Sequence, residues 1–225
     1  MITVKKDAIR YKTSEGMQYS GVLCNVGVVR NPYEYLASLS FAFAEVVFPD
    51  GHHFEVSVPI FSKTGVTACL QRTFYNTVGL KSFKLKGNDD GKSLTANYMF
   101  QNSKDIEVID FSEFKAIFSN VVGCFMSCSK LKTVLGIIDL ENSTNNVNFV
   151  IGCSSLENIR FKENSIKLAI NFANVPLLSE ASIQSIIDGL ATVETSQTLS
   201  FHADVKAKLT EQQIATITSK NWTLA

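Results

Sequence analysis

The side chains best suited to acid–base or metal chemistry in this chain are His52, His53, His202 and the pair Cys124-x3-Cys128, and their spacing assembles neither. His52 and His53 follow Asp50-Gly51, a turn pair, which places them in a solvated loop. His202 follows Phe201 at the end of an expected strand, where a structural role is expected. The cysteine pair lacks the second half that tetrahedral zinc requires. Gly87-Asn88-Asp89-Asp90-Gly91 offers oxygen ligands for calcium, but it is too short for an EF-hand loop and has no terminal glutamate, so it reads as a turn. No HExxH, no GxSxG and no phosphate-cradling glycine loop occurs, and scattered Asp and Glu nominate no glycosidase pair. The expectation is a protein that is not an enzyme, with no catalytic residue, no cofactor and no metal.

What recurs instead is apolar. Phe74, Phe100, Phe125 and Val150 follow one another at steps of 26, 25 and 25 residues, and Leu80, Ile106, Leu131 and Leu156 keep the same steps. Two columns with one spacing mark a repeat architecture. Inside the repeat the pattern is apolar, two residues, apolar, one residue, apolar: Leu80, Phe83, Leu85; Ile106, Ile109, Phe111; Leu156, Ile159, Phe161. The third copy has Leu131 and Val134 but places Gly136 last, so an irregularity is expected there. The spacing predicts short parallel strands with the apolar side inward, each followed by a return segment whose Phe packs beneath the next coil. Thr77, Ser103, Cys128 and Cys153 form a column of small residues in the turn. Stacked coils would place its members about 5 Å apart. The cysteines in it read as reduced, buried thiols.

The residues between the inward ones form the presented sheet face. They include Lys81, Lys84, Glu107, Asp110, Lys132, Leu135, Glu157, Asn158 and Arg160. In the first outward column Lys81, Glu107, Lys132 and Glu157 alternate in sign, which suits either a stabilising ladder of cross-strand pairs or a mixed-charge ligand surface.

The flanks follow different rules. Residues 1–70 read as a β-rich N-terminal module that attaches to something or caps the repeats. Ile9 and Tyr11 alternate with polar residues, Ser14-Glu15-Gly16 supplies a turn, and Tyr19 to Val26 reads as a second strand. Asn31-Pro32 breaks the chain, and a second hairpin is expected over Phe41 to Val58 around Pro49-Asp50-Gly51. Residues 71–165 hold the repeats, and 166–225 hold helix-bearing C-terminal repeats and a cap. There Ile166, Leu168 and Ile170 read as a strand, and Ser179 as the N-cap of a helix whose Ile183, Ile186, Ile187 and Leu190 bury one face. Leu199 and Phe201 form the next strand, Thr210 with Gln213 a capping box, and Trp222–Leu224 a last strand in which Trp222 plugs the core.

With 225 residues, 45% of them apolar, the chain can bury its own core. Lysine plus arginine equals aspartate plus glutamate at 21 each, which leaves no electrostatic footprint for nucleic acid or an anionic membrane. No window approaches about 18 uncharged apolar residues, so membrane insertion is not expected. The opening MITVKKDAIRYK has no apolar stretch of the signal-peptide kind, and five cysteines do not make a secreted disulfide framework. No heptad sets an oligomeric state.

MFQNSKDIEVIDFSEFKAIFSNVVGCFMSCSKLKTV and FVIGCSSLENIRF resemble BspA-type leucine-rich repeats, whose coils begin with a phenylalanine and a small-residue turn. TLSFHADVKAKLTEQQIATITSKNWTLA is similar to the C-terminal end of leucine-rich-repeat proteins encoded among tail genes of phages and prophages of gut bacteria, and ITVKKDAIRYKTSEGMQYSGVL to the start of small phage tail or baseplate proteins. The resemblance implies an α/β leucine-rich-repeat solenoid that recognises a protein or a glycan without catalysis. It implies a virion protein at a tail tip, fibre or baseplate, attached to other virion proteins through its N-terminal module and presenting the repeat face to a host surface protein or glycan. A bacterial BspA-type adhesion protein, or a purely structural or decorating virion protein, is the alternative. The lack of a signal-type stretch favours the virion, whose proteins fold in the bacterial cytoplasm and leave by lysis.

Overall fold

A strand buried on one side must alternate inward and outward residues, and Phe83 and Leu85 or Ile109 and Phe111 do so, with Leu80 inward ahead of Phe83. In the structure, a computed structural model describing residues 12–13, 16–18, 43–58, 70–88 and 91–225, these residues fall in strands. The main sheet contains β1 (Lys12–Thr13), β2 (Gly16–Gln18), β3 (Val46–Val58), β4 (Val78–Gly87), β6 (Val108–Phe114) and β8 (Thr133–Leu135), in that order. A second sheet orders β5 (Leu94–Thr95), β7 (Ala116–Asn120) and β9 (Ile138–Asp139). A third orders β10 (Ile170–Phe172), β11 (Gln197–Phe201) and β12 (Trp222–Leu224). Helices α1 (Glu180–Gly189), α2 (Ala203–Lys206) and α3 (Glu211–Ser219) lie in the C-terminal part.

Apart from the antiparallel β1–β2 pair, every strand pair among the described residues is parallel. The register carries the period of the sequence: Ser82 pairs with Val108, Val108 with Thr133, and Thr133 with Asn158. Parallel strands bonded at that spacing require the chain to return to the same place after each turn, and the return segments are bonded too. Alternate N–H groups of Ala96, Tyr98, Phe100 and Asn102 donate to the carbonyls of Asn120, Val122, Cys124 and Met126, and Val121, Gly123, Phe125 and Ser127 repeat the pattern onto Asn145, Val147, Phe149 and Ile151. Each return also needs two residues in the left-handed region. Arg72, Tyr98, Gly123 and Asn148 form one such column, and Asn76, Asn102, Ser127 and Gly152 the other.

The core is a file of phenylalanines between the strands and the returns. Ring centroids lie 5.1 Å apart for Phe43–Phe74, 5.2 Å for Phe74–Phe100, 5.9 Å for Phe100–Phe125 and 5.1 Å for Phe125–Phe149. Val150 is buried beside Phe149, which takes over the ring contact. Phe43 N–H bonds to Thr73 O, and Glu45 N–H to Tyr75 O, so the file of stacked turns already includes residues within the segment 1–70.

The expected hairpin around Pro49-Asp50-Gly51 is not formed. β3 is one strand that runs parallel to β4, and the turn-type residues are accommodated as an irregularity between the Val47–Val78 and His52–Leu80 pairs. This excursion brings Phe48 and Phe54 to the same core, so His52 is buried and stacks on Phe48 at 5.2 Å instead of lying in a solvated loop. Near the N-terminus Gly16–Gln18 forms β2. The readings on Ile9, Tyr11, Ser14-Glu15, Tyr19 to Val26, Asn31-Pro32, Asp89 and Asp90 lie outside the described residues.

After residue 161 the return ladder gives way to helices. Ser179 caps α1, its side chain accepting from Ser182 N–H, and Thr210 with Gln213 forms the full capping box on α3. The strand expected at Ile166 starts instead at Ile170, and Ile166 bridges to Leu190. Lys220 reaches across to the C-terminal end of α1, donating to the carbonyls of Ile187, Asp188 and Leu190, which carry the negative end of that helix. Trp222 is buried and its indole N–H donates to Ala191 O at 2.8 Å.

Candidate functional site

The strands and the residues leading into them place two sets of side chains on opposite sides of the main sheet. Leu80, Phe83, Leu85, Ile106, Ile109, Phe111, Leu131, Val134, Leu156, Ile159 and Phe161 are all buried, and the residues between them form the outer face. On that face Glu107 stands between two lysines, 3.2 Å from Lys81 Nζ and 3.1 Å from Lys132 Nζ. Those hydrogen bonds, first from Lys132 and then from Lys81, hold its carboxyl below the ordinary carboxylate range. Glu157, the fourth member of this column, is exposed and makes no ion pair with Lys132.

A second group gathers one register step further along the strands. Lys84 lies 3.4 Å from Asp110 and also pairs with Glu113. Lys86 lies 2.7 Å from Glu55 and 3.6 Å from Glu113. Glu55, Lys86 and Glu113 are absent from the sequence-based face: Glu55 lay in the expected hairpin, and Lys86 and Glu113 lie beyond the last inward residues of the repeat pattern, Leu85 and Phe111. After Phe111 the alternation breaks, with Ser112 and Glu113 both exposed before buried Phe114, and the pairing with β4 shifts register between Lys84 and Lys86. Asp105 and Lys130 form a further pair at 2.9 Å, and Asp105 also accepts from Gly79 N–H; the Gly79 hydrogen bond, followed by that of Lys130, holds its carboxyl below the ordinary range.

Asn158 and Arg160 sit apart from both groups. Asn158 accepts from Ser179 Oγ at 3.1 Å and donates to Thr133 Oγ1 at 3.5 Å. Arg160 is exposed on the last turn before α1. The face therefore combines an internally neutralised patch over β3, β4 and β6 with a chemically different end near α1.

The small-residue column of the turns works as a hydrogen-bond ladder. Thr77 Oγ1 donates to Ser103 Oγ at 2.8 Å, and Ser103 Oγ donates in turn to Phe74 O. Cys128 Sγ donates to Phe100 O and Cys153 Sγ to Phe125 O, each at 3.0 Å. Burial pushes the Cys124 and Cys128 thiols well above the ordinary value and Cys153 up to about 12, so all three remain protonated and able to donate. No group of three or more His, Cys, Asp or Glu side chains suited to a metal ion occurs among the described residues.

The histidines are engaged structurally. His53 Nδ1 lies 2.6 Å from Ser82 Oγ on the outer face. His202 caps α2 by accepting Asp204 N–H at 3.2 Å. Among the described residues no helix is long and apolar enough to cross a membrane. No protein-family model matches the chain, and no curated protein or solved structure matches it.

Proposed function

We propose that the chain is a non-enzymatic recognition protein: a short leucine-rich-repeat solenoid of the BspA type that displays its parallel-sheet face to a partner. The observation that carries this reading is the outward register Ser82, Val108, Thr133, Asn158, which repeats every 25 or 26 residues above a continuous phenylalanine core. Such a frame makes an extended, rigid surface in which each turn contributes a few side chains, the arrangement repeat proteins use to bind other molecules. The phage tail or baseplate address rests on the resemblance of the two terminal segments.

A structural or decorating role in the virion has one observation in its favour. The charges over β4 and β6 are engaged with one another, and paired charges offer less to a ligand than free ones. Antibody-gold labelling of purified phage particles from the source culture separates the readings. Label at the tail tip is the expected result; label on the head supports the decorating role, and unlabelled, protein-verified particles overturn the virion reading in favour of a bacterial interaction protein.

A further inference from the structure

The outward column of the main sheet that reads Lys84, Asp110, Leu135, Arg160 breaks an alternation of charge at its third member. Lys84 and Asp110 pair at 3.4 Å. Leu135, 43% exposed, stands where a carboxylate would have faced Arg160. Lys81, Lys84, Lys86, Lys130, Lys132 and Lys162 each reach a carboxylate, while Arg160 has none among the described residues.

The backbone is irregular at the same place. Val134 N–H donates to Asn158 O at 2.7 Å, and the next bond between these turns runs from Ile138 N–H to Arg160 O at 3.0 Å. One side advances four residues while the other advances two, so Gly136 and Ile137 are in excess and bulge outward. Ile137 is 60% exposed, the largest exposure of any large apolar side chain described. Ala181 and Ser182 of α1 close the opposite side, leaving a groove of about 410 Å³ that Leu135, Ile137, Asn158 and Arg160 also line. Glu157 and Glu180 are close in sequence, but neither lines it.

We infer that this groove seats a protein segment that carries an aliphatic side chain beside a carboxylate, a partner chemistry that rests on the recognition reading above. Leu135 and Ile137 cover the aliphatic group, and the Arg160 fork holds the carboxylate by paired N–H donors. The groove has aliphatic walls and no aromatic ring on which a sugar could lie, which favours a peptide over a glycan. Apolar cover around an arginine anchor is the composition of a protein-binding hot spot.

The test is selection from a random-peptide display library against the full chain, in parallel with Arg160→Gln and Ile137→Ser, followed by affinity measurement on the enriched peptides. Both substituted side chains are exposed, and thermal melting of the variants verifies that they fold. Enrichment of sequences with Asp or Glu next to Leu, Ile or Val is expected. Arg160→Gln is expected to weaken those peptides about tenfold or more, Arg160→Lys to weaken them less, and Ile137→Ser to weaken them as well. No enrichment, or enrichment of peptides indifferent to Arg160 and Ile137, overturns the assignment. A glycan array run on the same protein keeps the two readings apart: glycan binding through the sheet face, without acidic peptides, overturns this inference and leaves the recognition reading standing.

Discussion

Ser182 Oγ lies between two backbone groups of the last turn, donating to Glu157 O at 2.9 Å and accepting from Ile159 N–H at 3.0 Å. Ser185 does the same one helical turn on, accepting from Phe161 N–H at 3.0 Å. Serines three apart on α1 thus occupy the bonding positions that the next strand would fill, and they close an edge whose amides would otherwise need another chain.

Ser182→Ala is expected to leave the buried Ile159 N–H unpaired and to destabilise the fold by about 1–3 kcal/mol. Thermal or urea denaturation measures the loss. A variant as stable as the parent would mean that the helix is held by its apolar face alone.

Leu131 and Lys132 are adjacent but face opposite ways. Leu131→Asp buries a charge with no partner in a packed core and is expected to abolish cooperative unfolding. Lys132→Ala removes one exposed partner of Glu107 and is expected to shift the melting temperature little. Similar losses in both variants would contradict the strand register.

Gly136 has φ +93°, and a Cβ there would stand 2.6 Å from the carbonyl carbon and oxygen of Phe111. Backbone cannot swing aside as a side chain can. Gly136→Ala is expected to cost at least about 1–3 kcal/mol, read by denaturation, and unchanged stability would show that the two turns are not in contact at this corner.

Burial, reinforced by the neighbouring His53, lowers the His52 pKa below 6.5. As the pH falls below 6.5 the unfolded chain takes up this proton first, so it binds more protons than the folded chain and stability falls with pH across that window. His52→Phe, which keeps an aromatic ring against Phe48, is expected to flatten this part of the pH profile of the melting temperature. An unchanged profile would place the response elsewhere.

Cys124, Cys128 and Cys153 are free, buried and held well above the ordinary thiol range. Iodoacetamide is expected to spare them in the folded protein and to label them in denaturant, as read by peptide mass spectrometry. Cys128→Ser is expected to be tolerated, since Ser103 holds the same ladder position with the same kind of bond.

The periodic part of the fold was legible because each column must bury one residue per turn, so Phe74, Phe100 and Phe125 announce themselves at a constant step. The caps at Ser179 and Thr210 were legible because capping is local. β3 was not, since Phe43 precedes Phe74 by 31 residues and Pro49-Asp50-Gly51 is turn chemistry whether it closes a hairpin or bulges from a parallel strand. The bonds of Ser182 and Ser185 were hidden because serine on a helix carries no sign of what it faces. Of the candidate face, Lys81, Lys84, Glu107, Asp110 and Lys132 were read as the residues between the inward members of the repeat, but the exposure of Ile137 depends on two inserted residues that no spacing rule reveals.

The central claim is that the outer face of the main sheet, and not the turn side, meets the partner. Hydrogen–deuterium exchange of the full chain, with and without host cell-envelope extract, tests it directly. The account predicts slowed exchange over 132–137 and 157–160 with the returns at 121–127 and 147–153 unchanged. Protection of the returns with an unaltered sheet face would contradict it.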